Sequence, residues 1–181
     1  MRLPALEKNI LVYRALQMAQ FLFYSESLRK QLVSTVGASL ATKKKKELKG
    51  SKLLREIFKL LEDDKSLTNS ESTEIQALLE HRNRIAHEIH LLTGDIEIPG
   101  RNYRFKKYLK LKYDYEALEK IKKWHKELWR RISRRHILKL SFDSLLFEAA
   151  EHAYERELIA LRKRIDRQFL ARKKTIKNEG A

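Results

Sequence analysis

The sequence predicts an all-α protein, a compact bundle of about five helices, on three observations. Only five glycines and two prolines interrupt 181 residues, so turns are scarce. Apolar residues recur at three- and four-residue intervals, the repeat of a helix with one buried face. Between Gly100 and Gly180 there is neither glycine nor proline, which leaves room for long uninterrupted helices. A hydrophobic content of 43% suffices for one core, so a single domain over 1–181 is expected, with a basic helical extension from about 141.

Pro4 suits the first turn of a helix that then runs to about Val36, with Ile10, Leu11, Met18, Phe21, Leu22, Leu28 and Leu32 on its apolar side and Gly37 as its stop. Residues 38–50 read as a basic linker built around Lys43, Lys44, Lys45 and Lys46, and the bland reading of that run is a surface loop. Ser51 can cap a second helix to about Asp63, carrying Leu53, Leu54, Ile57, Phe58, Leu60 and Leu61. Thr73 and Gln76 have capping-box spacing for a third helix, with Ile75, Leu78, Leu79, Ile85, Ala86 and Ile89 in helical period and Gly94 as its end.

Residues 95–113 are ambiguous, with a possible short hairpin near 95–106. Ile96, Ile98, Tyr103 and Phe105 alternate with polar residues around Pro99-Gly100, so a short β-hairpin and a loop leading into a helix both fit. A fourth helix is expected over about 114–138, burying Leu118, Ile121, Trp124, Leu128 and Ile132. A fifth should start near Ser141 or Asp143 and reach about Lys174, apolar first (Leu145, Leu146, Ala149, Ala153) and then a basic stripe.

The formal net charge of +16 is unevenly placed. Residues 1–100 hold 16 Lys/Arg against 13 Asp/Glu, and residues 101–181 hold 24 against 11. Such asymmetry points to a polyanion, and Tyr and Trp interleaved with the charges favour nucleic acid over a solvated lysine-rich face. The absence of cysteine excludes disulfides and thiolate zinc sites. No apolar run has transmembrane length, and Glu7 with no cleavage-site pattern argues against a signal peptide, so no membrane association and a cytoplasmic location are expected.

The most specific stretch is Arg-Asn-Arg-Ile-Ala-His, residues 82–87. Arginine offers a permanent charge and a planar fork of donors for phosphate, and histidine moves protons near neutral pH. Glu80, Asn83, His87 and His90 share one polar stripe of the helix. On a straight helix Arg82 lies about 140° around the axis from His87. Three arrangements could join them: a bent arginine side chain, a distorted helix, or a second subunit.

The string Leu-Glu-His-Arg-Asn-Arg-Ile-Ala-His-Glu, residues 79–88, resembles the signature of the HEPN superfamily in its Arg-Asn start and Ile-Ala-His ending. That resemblance implies a helical, commonly homodimeric endoribonuclease that works without metal or other cofactor, with Arg82 and His87 catalytic and Asn83 assisting. Implied with it are attack of the RNA 2′-hydroxyl, a 2′,3′-cyclic phosphate product, and DNA that is bound but not cut. A toxin or antiviral-defence role, such as abortive infection, is implied as well, restrained by an antitoxin protein, a regulatory RNA or a larger defence complex. Arg84, His90, Arg130, Arg131, Arg134 and Arg135 are the candidate RNA contacts.

The chain departs from part of the pattern. Ile89 stands where members paired with a nucleotidyltransferase antitoxin carry a modifiable tyrosine. His87 and His90 are three apart rather than the four of a zinc-protease helix, so no metal site is read there.

The blander readings are concrete. His87 could be an idle residue at a packing seam, and Arg82 a structural partner of Glu80 or Glu88. Asn83 could serve only to orient the arginine. His81, His125, His136 and His152 read as surface residues rather than ligands, and Trp124 and Trp129 as core or interface. The arginines at 130–135 read about equally as a solvated face or as RNA contacts. A non-catalytic RNA-binding or assembly subunit on the same scaffold is the competing function.

Overall fold

Helix α1 (Ala5–Gln31), together with its continuation to Gly37, is the element against which the others pack. It continues through a π-helical segment, Leu32–Gly37, and is followed by α2 (Gly50–Asp63), α3 (Asn69–His87), α4 (Glu116–Ile132) and α5 (Phe142–Glu179). The computed structural model describes residues 5–38, 40, 50–87, 114–134 and 142–179, with side chains at 5–38, 40, 50–85, 114–134 and 149–175. Every element among the described residues is helical. The hairpin expected near 95–106, the Lys43–Lys46 run and the Gly94 stop lie outside them.

Two apolar clusters account for the packing. The larger joins Met18, Phe21, Leu28, Leu32 and Val36 to Ile57 and Leu61 of α2, Ile75, Leu78 and Leu79 of α3, and Leu118, Ile121, Trp124, Leu128 and Ile132 of α4. The smaller sets Leu6, Ile10 and Tyr13 of α1 against Leu158, Leu161 and Ile165 of α5. Ala149 and Ala153, expected on the apolar side of α5, are exposed, and the side chains of Leu145 and Leu146 lie outside the described residues. Alanine offers too little apolar area to hold so long a helix, and leucine and isoleucine at 158, 161 and 165 supply it.

Gly37 does not stop the first helix. Ala38 keeps helical dihedrals (φ −64°, ψ −40°), and the glycine is buried with its missing Cβ 3.5 Å from Ile57 Cδ1. The start of α3 also differs from expectation. The reciprocal cap is Thr68 with Glu71: the Thr68 N–H donates to Glu71 Oε2 (2.9 Å) and the Glu71 N–H to Thr68 Oγ1 (3.3 Å). Thr73 instead donates to the Asn69 carbonyl one turn back, so it lies inside the helix.

Polar contacts flank the apolar α1–α4 seam. Gln17 Oε1 accepts the Tyr115 N–H, Tyr13 donates to Asp114, and the buried Arg14 lies 4.4 Å from the Tyr115 ring centroid. His125 is no surface residue. Its Nε2 meets Ser27 Oγ at 3.0 Å and Gln31 Nε2 at 3.2 Å, and its ring stands edge-on to Tyr24. The amide of Gln31 can only donate, so His125 Nε2 accepts and the ring is neutral. Burial pushes its pKa from 6.5 down to about 4. The unfolded chain therefore binds this proton first: the contribution to stability is complete above about pH 6.5 and lost as pH falls toward 4. Urea melts should show a loss on the order of 3 kcal/mol across that window, absent in His125→Gln; an equal slope in the variant would assign it elsewhere.

Candidate functional site

The site grows from an arginine in a place suited to an apolar residue. On α3, Ile75, Leu78, Leu79 and Ile85 are buried, and Arg82 falls on the same side at helical spacing. A guanidinium cannot stay under that core unpaired, and its long stem carries it to the edge. There Nη2 donates to Glu26 Oε2 of α1 at 3.1 Å, and Nη1 donates to Asn83 Oδ1 at 3.0 Å. The two charged side chains are 36% and 30% exposed, so the pair sits at the mouth of the α1–α3 seam. Three of the five guanidinium N–H donors are left by these two bonds.

Glu26 brings a second guanidinium to the same place. It accepts from Arg29 Nε (3.2 Å) and Nη2 (2.9 Å) while holding Arg82. The Arg29 hydrogen bond, with the charges of Arg29, Arg82 and Lys30, keeps the Glu26 carboxyl below its usual range. One carboxylate thus orients two guanidiniums within a cluster of net positive charge. Asn83 and Arg84 are exposed on the adjoining surface. Neither Glu26 nor Arg29 was expected as a site residue. In sequence they form an ordinary i,i+3 pair, and only the contact across 56 residues sets them beside Arg82.

His81, the neighbour of Arg82, points elsewhere. Its Nε2 meets the Tyr115 hydroxyl and its ring stands edge-on to Phe21 at 5.6 Å. Desolvation, with the nearby Arg84 charge, lowers its pKa, and its contacts with Tyr115 and Phe21 make this half-buried histidine a packing residue. His87 is the last described residue of α3, and its side chain, like all of His90 and Arg135, lies outside the described residues. The α3 backbone is regular from Asn69 to His87, so a local helix distortion does not bring positions 82 and 87 together.

The arginines of α4 form a separate group. Arg131 is engaged internally: Nη1 and Nη2 fork onto Glu71 at 3.0 and 3.1 Å, Nη1 also reaches the Ser66 carbonyl, and Nε reaches Glu127. Here it clamps α4 to the cap of α3, and the same fork holds Glu71 down at about 2. Glu71 and Arg82 are eleven residues apart, about 16 Å along the helix. Arg130 is exposed beside Glu127, and Arg134 is exposed in the turn after α4. Of the expected contacts, the fold thus groups Arg82, Asn83 and Arg84 and sets Arg130, Arg131 and Arg134 toward the other end of α3.

Among the described residues no group of three His, Asp or Glu side chains could hold a metal ion. No described helix is long and apolar enough to cross a membrane. The chain matches no protein-family model, no curated protein and no solved structure. The functional reading therefore rests on its own residues.

Proposed function

We propose that the protein is a metal-independent endoribonuclease of the HEPN type, acting as a homodimer in a toxin or antiviral-defence role under the restraint of an antitoxin protein, a regulatory RNA or a defence complex. The observation that carries the proposal is the Arg82 guanidinium, oriented by Glu26 and Asn83 at a surface edge with donors to spare, five residues before His87. Arg82 and Arg29 hold the scissile phosphate and stabilise the charge that develops on it. Asn83 orients Arg82 through Oδ1 and keeps its Nδ2 protons for a phosphate oxygen.

In the reaction the RNA 2′-oxygen bonds to phosphorus as its proton leaves to a base. The bond from phosphorus to the 5′-oxygen breaks, and that oxygen takes a proton. His87 serves one of the two proton transfers. The products are a 2′,3′-cyclic phosphate and a 5′-hydroxyl. Arg84, Arg130 and Arg134 supply further phosphate contacts.

The competing reading, a non-catalytic RNA-binding or assembly subunit, draws on the same bond, because the Arg82–Glu26 pair also ties α3 to α1. Salt dependence does not separate the two, since both bind phosphate. Cleavage does. Labelled RNA incubated with purified protein in EDTA should yield cyclic phosphate ends, and His87→Ala should abolish them. RNA bound tightly but left intact would reject the nuclease in favour of the binding subunit.

A further inference from the structure

We infer that the outward face of α5 is a nucleic-acid-binding ridge that follows a phosphodiester backbone independently of sequence. Opposite the face packed on α1, one line of the helix carries Arg156, Ile159, Lys163, Arg167, Leu170 and Lys174, spaced three or four residues apart and all exposed. No carboxylate stands in that line. Of the acids of α5 with described side chains, Glu151 is taken by the Tyr24 hydroxyl and Glu155 by Lys122, while Glu157 and Asp166 stand beside the line, Asp166 one turn from Lys163. Two other arginines of the helix are engaged, Arg162 by Asp114 and Arg172 by Glu7. The four cations of the ridge share no ion pair with a carboxylate among the described residues.

A helix face that is merely solvated gains from opposite charges four residues apart. Here Lys163 and Arg167 are like charges at that spacing, and Arg164 lies three residues before Arg167. This repulsion weakens the isolated helix and is relieved when a polyanion lies along it. Arg156 to Lys174 spans about 27 Å, room for several phosphates of one strand. Ile159 and Leu170, each 56% exposed, stand between the cations where sugars and bases would pass. Two apolar side chains about 16 Å apart do not make the continuous apolar face that insertion into a lipid surface needs.

The ridge lies on a different helix from Arg82, and the inference does not depend on the cleavage reading. Its test uses a 2′-O-methylated oligonucleotide, which the proposed reaction cannot cut. The full-length Arg156→Gln/Lys163→Gln/Arg167→Gln/Lys174→Gln protein is compared with a charge-matched variant of α2 and its turn, Lys52→Gln/Arg55→Gln/Lys59→Gln/Lys65→Gln. The ridge variant should bind about tenfold or more weakly at physiological salt. Its log–log salt slope should fall by about 3, from about 0.7 for each of four lost phosphate contacts. The control variant should keep most of the slope. Equal losses in both variants would reduce the ridge to diffuse charge and overturn the inference, as would unchanged binding in the ridge variant. Unchanged oligonucleotide binding with lost sedimentation on phosphatidylserine vesicles would assign the face to membranes instead.

Discussion

Arg82→Ala is expected to lower RNA cleavage by about 10²–10³-fold, the usual consequence of removing one donor that stabilises developing charge. The same substitution should scarcely change the melting temperature. The Arg82–Glu26 pair is about one-third exposed on each side, and pairs of that kind contribute no more than about 1 kcal/mol. That gap between two magnitudes makes the variant informative. A fall in activity at constant stability places Arg82 in the reaction, whereas a large loss of stability with full activity per folded molecule makes it a strut between α1 and α3.

Arg82→Lys should recover little, because an ammonium cannot span Glu26, Asn83 and a phosphate as a planar fork does. Glu26→Gln should give an intermediate fall, as both guanidiniums persist without the charge that aims them. Mixed dimers of Arg82→Ala and His87→Ala subunits should regain part of the activity where two copies share a site, and complete lack of rescue would argue for a site within one copy.

Arg131→Ala should be the most damaging substitution for stability among the arginines considered as RNA contacts. It removes the fork onto Glu71 and the bond to the Ser66 carbonyl, leaving a partly buried carboxylate with its helix-cap bonds alone. Loss of a bridging charged hydrogen bond of this kind costs about 2 kcal/mol. For a chain of this size that lowers the melting temperature by about 4–8 °C.

The pH dependence carries its own sign. Glu71 titrates at about 2 in the folded protein against 4.5 ordinarily, so its contribution is present above about pH 4.5 and lost as pH falls toward 2. Arg131→Ala should flatten stability over that interval, as read by denaturant melts. An unchanged melting temperature with weakened RNA binding would return Arg131 to the phosphate contacts.

Much of the fold was legible because its determinants are local. Scarce glycine and proline and a 3.6-residue apolar period define helices without knowledge of their neighbours. Leu118, Ile121, Trp124, Leu128 and Ile132 could be assigned inward from spacing alone, and all five are buried. That Arg82 and His87 belong to one helix was legible for the same reason. Where local signals were degenerate, the reading slipped. Thr68–Glu71 and Thr73–Gln76 both have capping-box spacing, and Glu71 of the first pair is secured by Arg131 from 60 residues away.

By itself, then, the sequence determined the helical class, the inward stripe of α4, the surplus of positive charge and the motif on α3. Tertiary structure alone decided that Arg82 answers to Glu26 and shares it with Arg29, that Arg131 is held as a clamp, and that Arg162 and Arg172 of α5 are paired across helices while Arg156, Lys163, Arg167 and Lys174 line its outward face. The reason is physical. Periodicity says which side of a helix is apolar, but the partner of a charge depends on how whole helices are set against one another by their buried faces.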